Sequence, residues 1–250
     1  MSTFILAWHF LTAVPLTRRH QVTTMEQFAS SMVWFPAVGL VIGLTLAASA
    51  TVLDLIMSRN VVDWMLILLL VLLTRGLHLD GLADTLDGWV GGRTSKERLE
   101  IMRDPRIGAF GAVGLVLALG LRQAGLFGLP DSGRWAMIAT MPLLGRWAMV
   151  VGGFAAPYAR ADGGLAHPFL AHLAGRHVLM ATVVPAVWLL WWFGPIGTLS
   201  ILVLLAVVVR VVTALSLRLC GGITGDVFGM MNEIAEVAFL IAGPLCLEMR

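Results

Sequence analysis

Charged residues are scarce in this 250-residue chain, at 13% against about a quarter in an ordinary soluble domain, while 58% of the residues are hydrophobic. Together these figures exclude a single water-soluble globule. Lysine is almost missing: Lys96 is the only one among 17 Lys+Arg, set against 15 Asp+Glu. A chain so balanced carries no polybasic coat, which excludes nucleic acid as a partner. Two cysteines, Cys220 and Cys246, are too few for a disulfide framework or a thiolate metal cluster, and their apolar neighbours mark them as packing residues. No basic stretch precedes the first apolar segment, Phe4 to Leu16, because Arg18 and Arg19 come after it. It is therefore expected to be an interfacial or re-entrant helix and not a signal peptide.

Long apolar runs are what the chain has instead. Runs near the ~20 residues needed to cross a bilayer fall at 31–57, 61–79, 108–129, 135–156, 177–193, 196–217 and 231–247. The expected fold is all-α: a polytopic integral membrane bundle of about seven transmembrane helices in one domain, 1–250. Within it lie an N-terminal interfacial segment (1–30), an Asp-rich and basic loop (80–107) and a Gly-rich loop (218–230). The second run is the weakest, since its purely apolar part extends only from Trp64 to Leu73. Between the fifth and sixth, Gly194-Pro195 reads as a tight turn.

Cytoplasmic loops collect Lys and Arg. With the N-terminus inside, Arg18, Arg19, Arg75, Arg93, Lys96, Arg98, Arg103, Arg106, Arg160, Arg176 and Arg218 fall inside. Arg59, Arg122, Arg134 and Arg250 fall outside, and Arg146 and Arg210 lie within spans. The three long polar stretches, 80–107, 157–176 and 218–229, then share the cytoplasmic face, which is the expected working side.

The chemistry concentrates in His78-Leu79-Asp80-Gly81-Leu82-Ala83-Asp84-Thr85-Leu86-Asp87-Gly88. On a helix, Asp80, Asp84 and Asp87 stand at i, i+4 and i+7, within an arc of roughly 60°. Such a stripe of like charges suits a hard cation, and Mg²⁺ favours carboxylate oxygen completed by water and phosphate. The alternative is a solvated helix face whose acids pair with the basic loop that follows. Gly81 and Gly88 would let a bulky ligand approach the backbone.

In the loop, Arg103 and Arg106 could clamp phosphate oxygens, with Asp104 a further metal ligand or an orienting acid. Gly221-Gly222-Ile223-Thr224-Gly225-Asp226 enters an apolar helix carrying Glu233 and Glu236. Glycines before a helix expose N–H groups suited to phosphate, and an acid inside a span is a functional candidate by default. Glu236 could equally neutralise Arg146 or Arg210 as a structural pair. His78 is a candidate general base or a hydrogen-bonded structural residue. The nine Trp read as interfacial belts.

Over nearly its whole length the sequence resembles the cobalamin synthase family of membrane enzymes, the adenosylcobinamide-GDP ribazoletransferases. The resemblance rests on Phe10-Leu11-Thr12 with Pro15, Phe35-Pro36 with Gly39 and Gly43, and the block from His78 to Gly111. It continues through Arg146-Trp147, Tyr158 to Arg160 with Gly163, and Gly221-Gly222 with Thr224-Gly225-Asp226 and Glu236. The block from Asp80 to Gly111 is the most specific part. Arg75 stands where the family pattern leads one to expect glycine, Pro105 replaces Ser, and Glu233 replaces Gln, which ranks Glu236 above Glu233.

The resemblance implies the last assembly step of the cobalamin nucleotide loop. A ribose hydroxyl of α-ribazole, or of its 5′-phosphate, attacks the phosphate on the corrinoid arm of adenosylcobinamide-GDP and expels GMP. It further implies a protein integral to the bacterial inner membrane, in contact with lipid. On this reading Mg²⁺ is held by Asp80, Asp84, Asp87 and Asp104, and Asp84 or Asp87, with His78, handles the attacking proton. Arg103, Arg106, Arg146, Arg160, Thr224, Asp226 and Glu236 contact substrate or support the site. Homo-oligomerisation through Gly-rich spans is a further expectation, signalled by Gly39 with Gly43.

Two other readings compete. A CDP-alcohol phosphotransferase would need Ala-Arg after its Asp-Gly, whereas here Asp84 follows Ala83. An ion-coupled transporter would use Glu236 and Arg146, but most acids here sit at one face.

Overall fold

A computed structural model describes residues 2–17 and 23–247. Arg18, Arg19 and Arg250, used in the charge count, lie outside the described residues. The described chain is helical throughout, with one isolated β-bridge, between Tyr158 and Ile223. Two short helices, α1 (Thr3–Leu11) and α2 (Met25–Ser31), lead through a 3₁₀ turn (Met32–Trp34) into α3 (Phe35–Leu53). Then come α4 (Arg59–Thr74), α5 (Leu77–Gly91), α6 (Ser95–Ile101) and α7 (Ala109–Phe127). The last are α8 (Arg134–Ala155), α9 (His167–Leu170), α10 (Gly175–Cys220) and α11 (Gly225–Leu247).

Five helical segments are long and apolar enough to cross a membrane: Met25–Leu53, Ala109–Phe127, Arg134–Ala155, Gly175–Cys220 and Gly225–Leu247. A sixth arises if α4 and α5, bent by 88° at their junction, count as one span. The 46 residues of α10 would extend about 69 Å as a straight helix, twice the ~30 Å of a hydrocarbon core. They do not run straight. Gly194 has φ 65° and ψ −178°, a conformation open to glycine alone, and Pro195 follows it. Trp147 donates to Thr182, Trp188 donates to Thr140, and Trp192 sits on Trp135, so the first arm descends α8. Beyond the turn Val209 is back beside Gly152, so the second arm returns along α8. The Gly194-Pro195 turn expected from sequence is therefore present.

Helix α8 is the axis of the bundle, buried along almost its full length against α3, α10 and α11. On α3, Gly39 and Gly43 face the α8 backbone at Pro142 and Ala139. That small-residue pair is used inside the chain, which removes it as a surface for self-association.

Successive long helices alternate in direction, so their ends form two polar layers. At one end Arg59 pairs with Asp131 at 2.6 Å, Arg134 with Asp63 at 2.9 Å, and Gln123 with Asn60 at 2.7 Å. The other end gathers α5, α6, the 156–174 segment and the start of α11. Arg122, counted among the outside arginines from sequence, lies within α7 at 1% exposure, because acids on α11 neutralise it there. The second apolar run ends at Thr74 and not at residue 79. Arg75 and Gly76 both adopt left-handed conformations, with φ 56° and 66°, and redirect the chain into α5.

Candidate functional site

The site begins with that redirection. Turned through 88°, α5 lies across the polar end of the bundle and crosses α11 near its start. The two backbones almost touch: a Cβ on Gly81 would stand 2.7 Å from the Asp226 carbonyl oxygen, and one on Gly229 would stand 2.8 Å from that of His78. Only glycine fits this crossing. Gly81 thus serves helix packing, and Gly88 is covered by Met102 and the Arg98 carbonyl, so neither opens the backbone to a ligand as the sequence suggested.

The crossing brings His78, Asp80 and Asp84 on α5 beside Asp226 on α11. The loop after α8 joins them, because Ala159 donates to the Ile223 carbonyl at 2.9 Å and Ile223 to that of Pro157 at 2.8 Å. Arg160 is thereby placed to pair with Asp226 Oδ2 at 2.7 Å. The Thr224 hydroxyl donates to the same oxygen at 3.1 Å and accepts the Val227 amide, capping α11.

Two hollows adjoin this cluster. A cleft of about 650 Å³ is lined by His9, Arg75, Asp80, Asp84, Pro105 and Leu165 among others. Beside it, a narrower cavity of about 120 Å³ has His78, Asp80, Tyr158, Arg160, Asp226 and Phe228 in its wall. Neither Asp80 nor Asp84 accepts a hydrogen bond or forms an ion pair among the described residues. Burial, and then the charges of Asp80, Asp226 and Asp87, push the Asp84 carboxyl up to about 7. The cluster thus carries more negative charge than Arg160 offsets.

The remaining sequence candidates do not join this cluster. Both oxygens of Asp87 are occupied at the start of α7, accepting the amides of Gly108 at 2.7 Å and Gly111 at 2.8 Å. Asp104 holds Arg106 through paired contacts of 2.9 and 2.6 Å, and these hydrogen bonds, with one from the Arg106 backbone amide, lower its carboxyl to about 2. Arg103 pairs across the surface with Asp162 at 2.6 Å. No three His, Cys, Asp or Glu side chains among the described residues stand close enough to hold a metal ion. The four expected ligands, Asp80, Asp84, Asp87 and Asp104, are therefore not a preformed cage.

Below the cluster lies a buried ionic network. Arg122 contacts Glu233 at 2.8 Å and Glu236 at 2.6 Å, Arg146 pairs with Glu236, and Asn232 donates to Glu236 at 3.0 Å. Glu236 and Arg146 are wholly buried and bound to each other. From its other nitrogen Arg146 reaches His78 Nδ1 at 3.4 Å, which links the network to the cavity above. Sequence reasoning missed Arg122, Asn232 and Tyr158 as site or supporting residues. Arg122 carried a signal, since it interrupts an apolar run between Leu121 and Ala124.

Compared with known proteins, residues 3–243 match the family model described as cobalamin-5-phosphate synthase. The chain is 41% identical to the adenosylcobinamide-GDP ribazoletransferase of Syntrophobacter fumaroxidans, over 96% of this chain and 97% of the relative. It is 37% identical to the protein of that name from Chlorobaculum tepidum, over 99% and 97%. Against that of Ectopseudomonas mendocina the identity is 40%, over 97% and 98%. No solved structure matches the chain.

Proposed function

The chain belongs to the cobalamin-5-phosphate synthase family, and from that premise we propose how its acidic crossing serves the family's reaction. The reaction is the last step of cobalamin assembly, transfer of the adenosylcobinamide-phosphate moiety from adenosylcobinamide-GDP to α-ribazole or its 5′-phosphate. A ribose hydroxyl of the acceptor forms the new P–O bond, the bond to GMP breaks, and the hydroxyl proton passes to a carboxylate. The observation that carries the assignment is the meeting of Asp80, Asp84, Asp226 and Arg160 across the α5–α11 crossing, beside an open cleft.

Phosphoryl transfer rests on positioning and charge compensation more than on covalent chemistry by the protein. The donor set fits Mg²⁺, which takes one or two carboxylates and completes its shell with water and substrate phosphate, so a preformed cage of three is unnecessary. Asp80 and Asp84, without partners among the described residues, would hold it, with Asp226 beside them; bound there, the ion would offset charge on the transferring phosphoryl group. Arg160 steadies Asp226 and shares the cavity wall with it. Arg103 and Arg106, near Pro105 of the cleft wall, would reach phosphate oxygens by exchanging their surface carboxylates for substrate. Asp87 shapes the site from outside by anchoring α7 to α5.

Counting the two arms of α10 separately gives seven crossings, α3, α4, α7, α8, both arms and α11, with α5 lying across their end. Arg75, Arg93, Lys96, Arg98, Arg103, Arg106, Arg160, Arg176 and Arg218 cluster at the acidic end, against Arg59 and Arg134 at the other. That bias supports a cytoplasmic site in the bacterial inner membrane.

The test is GMP release by the detergent-purified, lipid-supplemented protein given adenosylcobinamide-GDP and α-ribazole, with and without Mg²⁺. Release coupled to cobalamin formation only in the presence of the metal is the expected result. Release at full rate after chelation removes the metal from the mechanism, and no release in either condition removes the assignment.

A further inference from the structure

The 120 Å³ cavity behind Asp80 has an unusual wall. Three residues of that wall each carry a buried polar atom with no partner among the described residues: His78 at Nε2, Tyr158 at Oη and Arg160 at Nε. His78 itself is only 2% exposed. Buried polar groups are nearly always satisfied, so three orphans around one hollow mark a place where a ligand supplies the missing partners.

The state of His78 follows from what lies behind it. Arg146 carries only donors, and its Nη2 stands 3.4 Å from His78 Nδ1. Nδ1 must then accept, which leaves the ring proton on Nε2. Arg146 cannot turn away, because its other nitrogen is paired with Glu236. His78 therefore offers the cavity an N–H, not a lone pair.

The rest of the wall selects the ligand. Asp80 and Asp226 border the same space as Arg160, so a ligand there meets acceptors as well as donors, which suits a hydroxyl because it both accepts and donates. The narrow space leaves room for part of a sugar ring and not for a corrinoid. We propose that this cavity is the subsite for the ribose hydroxyls of the acceptor, with His78 as a neutral hydrogen-bond donor to one of them and not as a general base. The proposal rests on the ribazole-transfer reading above and adds to it where the acceptor binds.

Initial rates of GMP release at saturating adenosylcobinamide-GDP and varied α-ribazole test it, in wild type, His78→Gln, His78→Phe and Tyr158→Phe. His78→Phe is expected to raise the KM for α-ribazole about ten- to hundredfold and leave the KM for adenosylcobinamide-GDP within about threefold. His78→Gln keeps an N–H donor and should stay within about fivefold of wild type. Tyr158→Phe removes one hydroxyl from the same wall and should raise the KM for α-ribazole about three- to tenfold. It carries the test if His78→Phe fails to give a monodisperse protein.

A loss of kcat in His78→Gln as deep as in His78→Phe overturns the donor role, as does an NMR spectrum of ¹⁵N-histidine protein that puts the His78 proton on Nδ1. An unchanged KM for α-ribazole in Tyr158→Phe and in folded His78→Phe overturns the subsite while leaving the transfer reading intact. A wild-type protein that releases no GMP overturns both.

Discussion

Asp87 and Gly111 are joined across two helices: the carboxylate that closes the acidic stripe on α5 accepts the Gly111 amide at 2.8 Å, and the Gly108 amide at 2.7 Å with its second oxygen. A carboxylate on the first turn of α7 satisfies two of the amides that a helix start leaves unpaired and favours the helix dipole. Asp87→Asn would turn an NH₂ group toward one of those amides. It is expected to lower stability by about 1–3 kcal/mol, read as the denaturation midpoint in detergent. A variant with unchanged midpoint and altered Mg²⁺ requirement would return Asp87 to the metal set.

Asp84 should behave in the opposite way. Its carboxyl stands at about 7 in the folded protein, against about 3.9 unfolded, so the folded state binds more protons between those values. The group's contribution to stability therefore falls as pH rises from about 4 to about 7. Above that range Asp84→Asn is expected to melt no lower than wild type while GMP release drops about a hundredfold or more.

Because a cation competes with that proton, the Mg²⁺ concentration needed for half-maximal wild-type activity should fall as pH rises through about 7. Rates measured over a Mg²⁺ series at several pH values decide this. A metal requirement independent of pH would detach Asp84 from the cation.

Gly81→Ala drives a methyl group into the Asp226 carbonyl, 2.7 Å from the ideal Cβ position, and should separate α5 from α11. Activity is expected to disappear even where the protein remains monodisperse. Gly120→Ala is the matched control on α7, since nothing lies within 4 Å of its Cβ, and its rate should equal wild type.

Arg122→Met would leave Glu233 without its cation and Glu236 with only Arg146. Breaking a buried pair from one side costs about 3–5 kcal/mol. The double variant Arg122→Met/Glu233→Gln should recover part of the lost midpoint, and a double variant no better than the single one would disconnect the two residues.

Much of this was legible in the sequence because apolar length and turn chemistry are local properties. The reversal at Gly194-Pro195 and the gathering of the three polar stretches at one end follow from them. What stayed hidden depends on partners distant in the chain. Helical spacing places Asp80, Asp84 and Asp87 on one face but cannot say that Asp87 is spent on the amides of α7. Counting arginines by side put Arg122 outside without sensing that acids on α11 hold it inside α7. Arg75 is instructive in reverse: glycine was expected there, and the structure gives that position φ 56°, the left-handed conformation glycine adopts most easily. The sequence marked the bend before its purpose, turning α5 across the bundle, could be seen.

The buried network also imposes an order on biosynthesis. Arg122 and Arg146 belong to α7 and α8, while both of their counter-ions, Glu233 and Glu236, arrive with α11. During synthesis two arginines must enter the bilayer before their partners exist, each at a cost of about 2.5–3.5 kcal/mol on insertion scales. The earlier helices are therefore held in a state that only α11 completes, and the same helix delivers Asp226 to the acidic cluster. Helix α11 thus neutralises the buried arginines and brings Asp226 to the acidic cluster, so one segment completes both the interior charge balance and the candidate site.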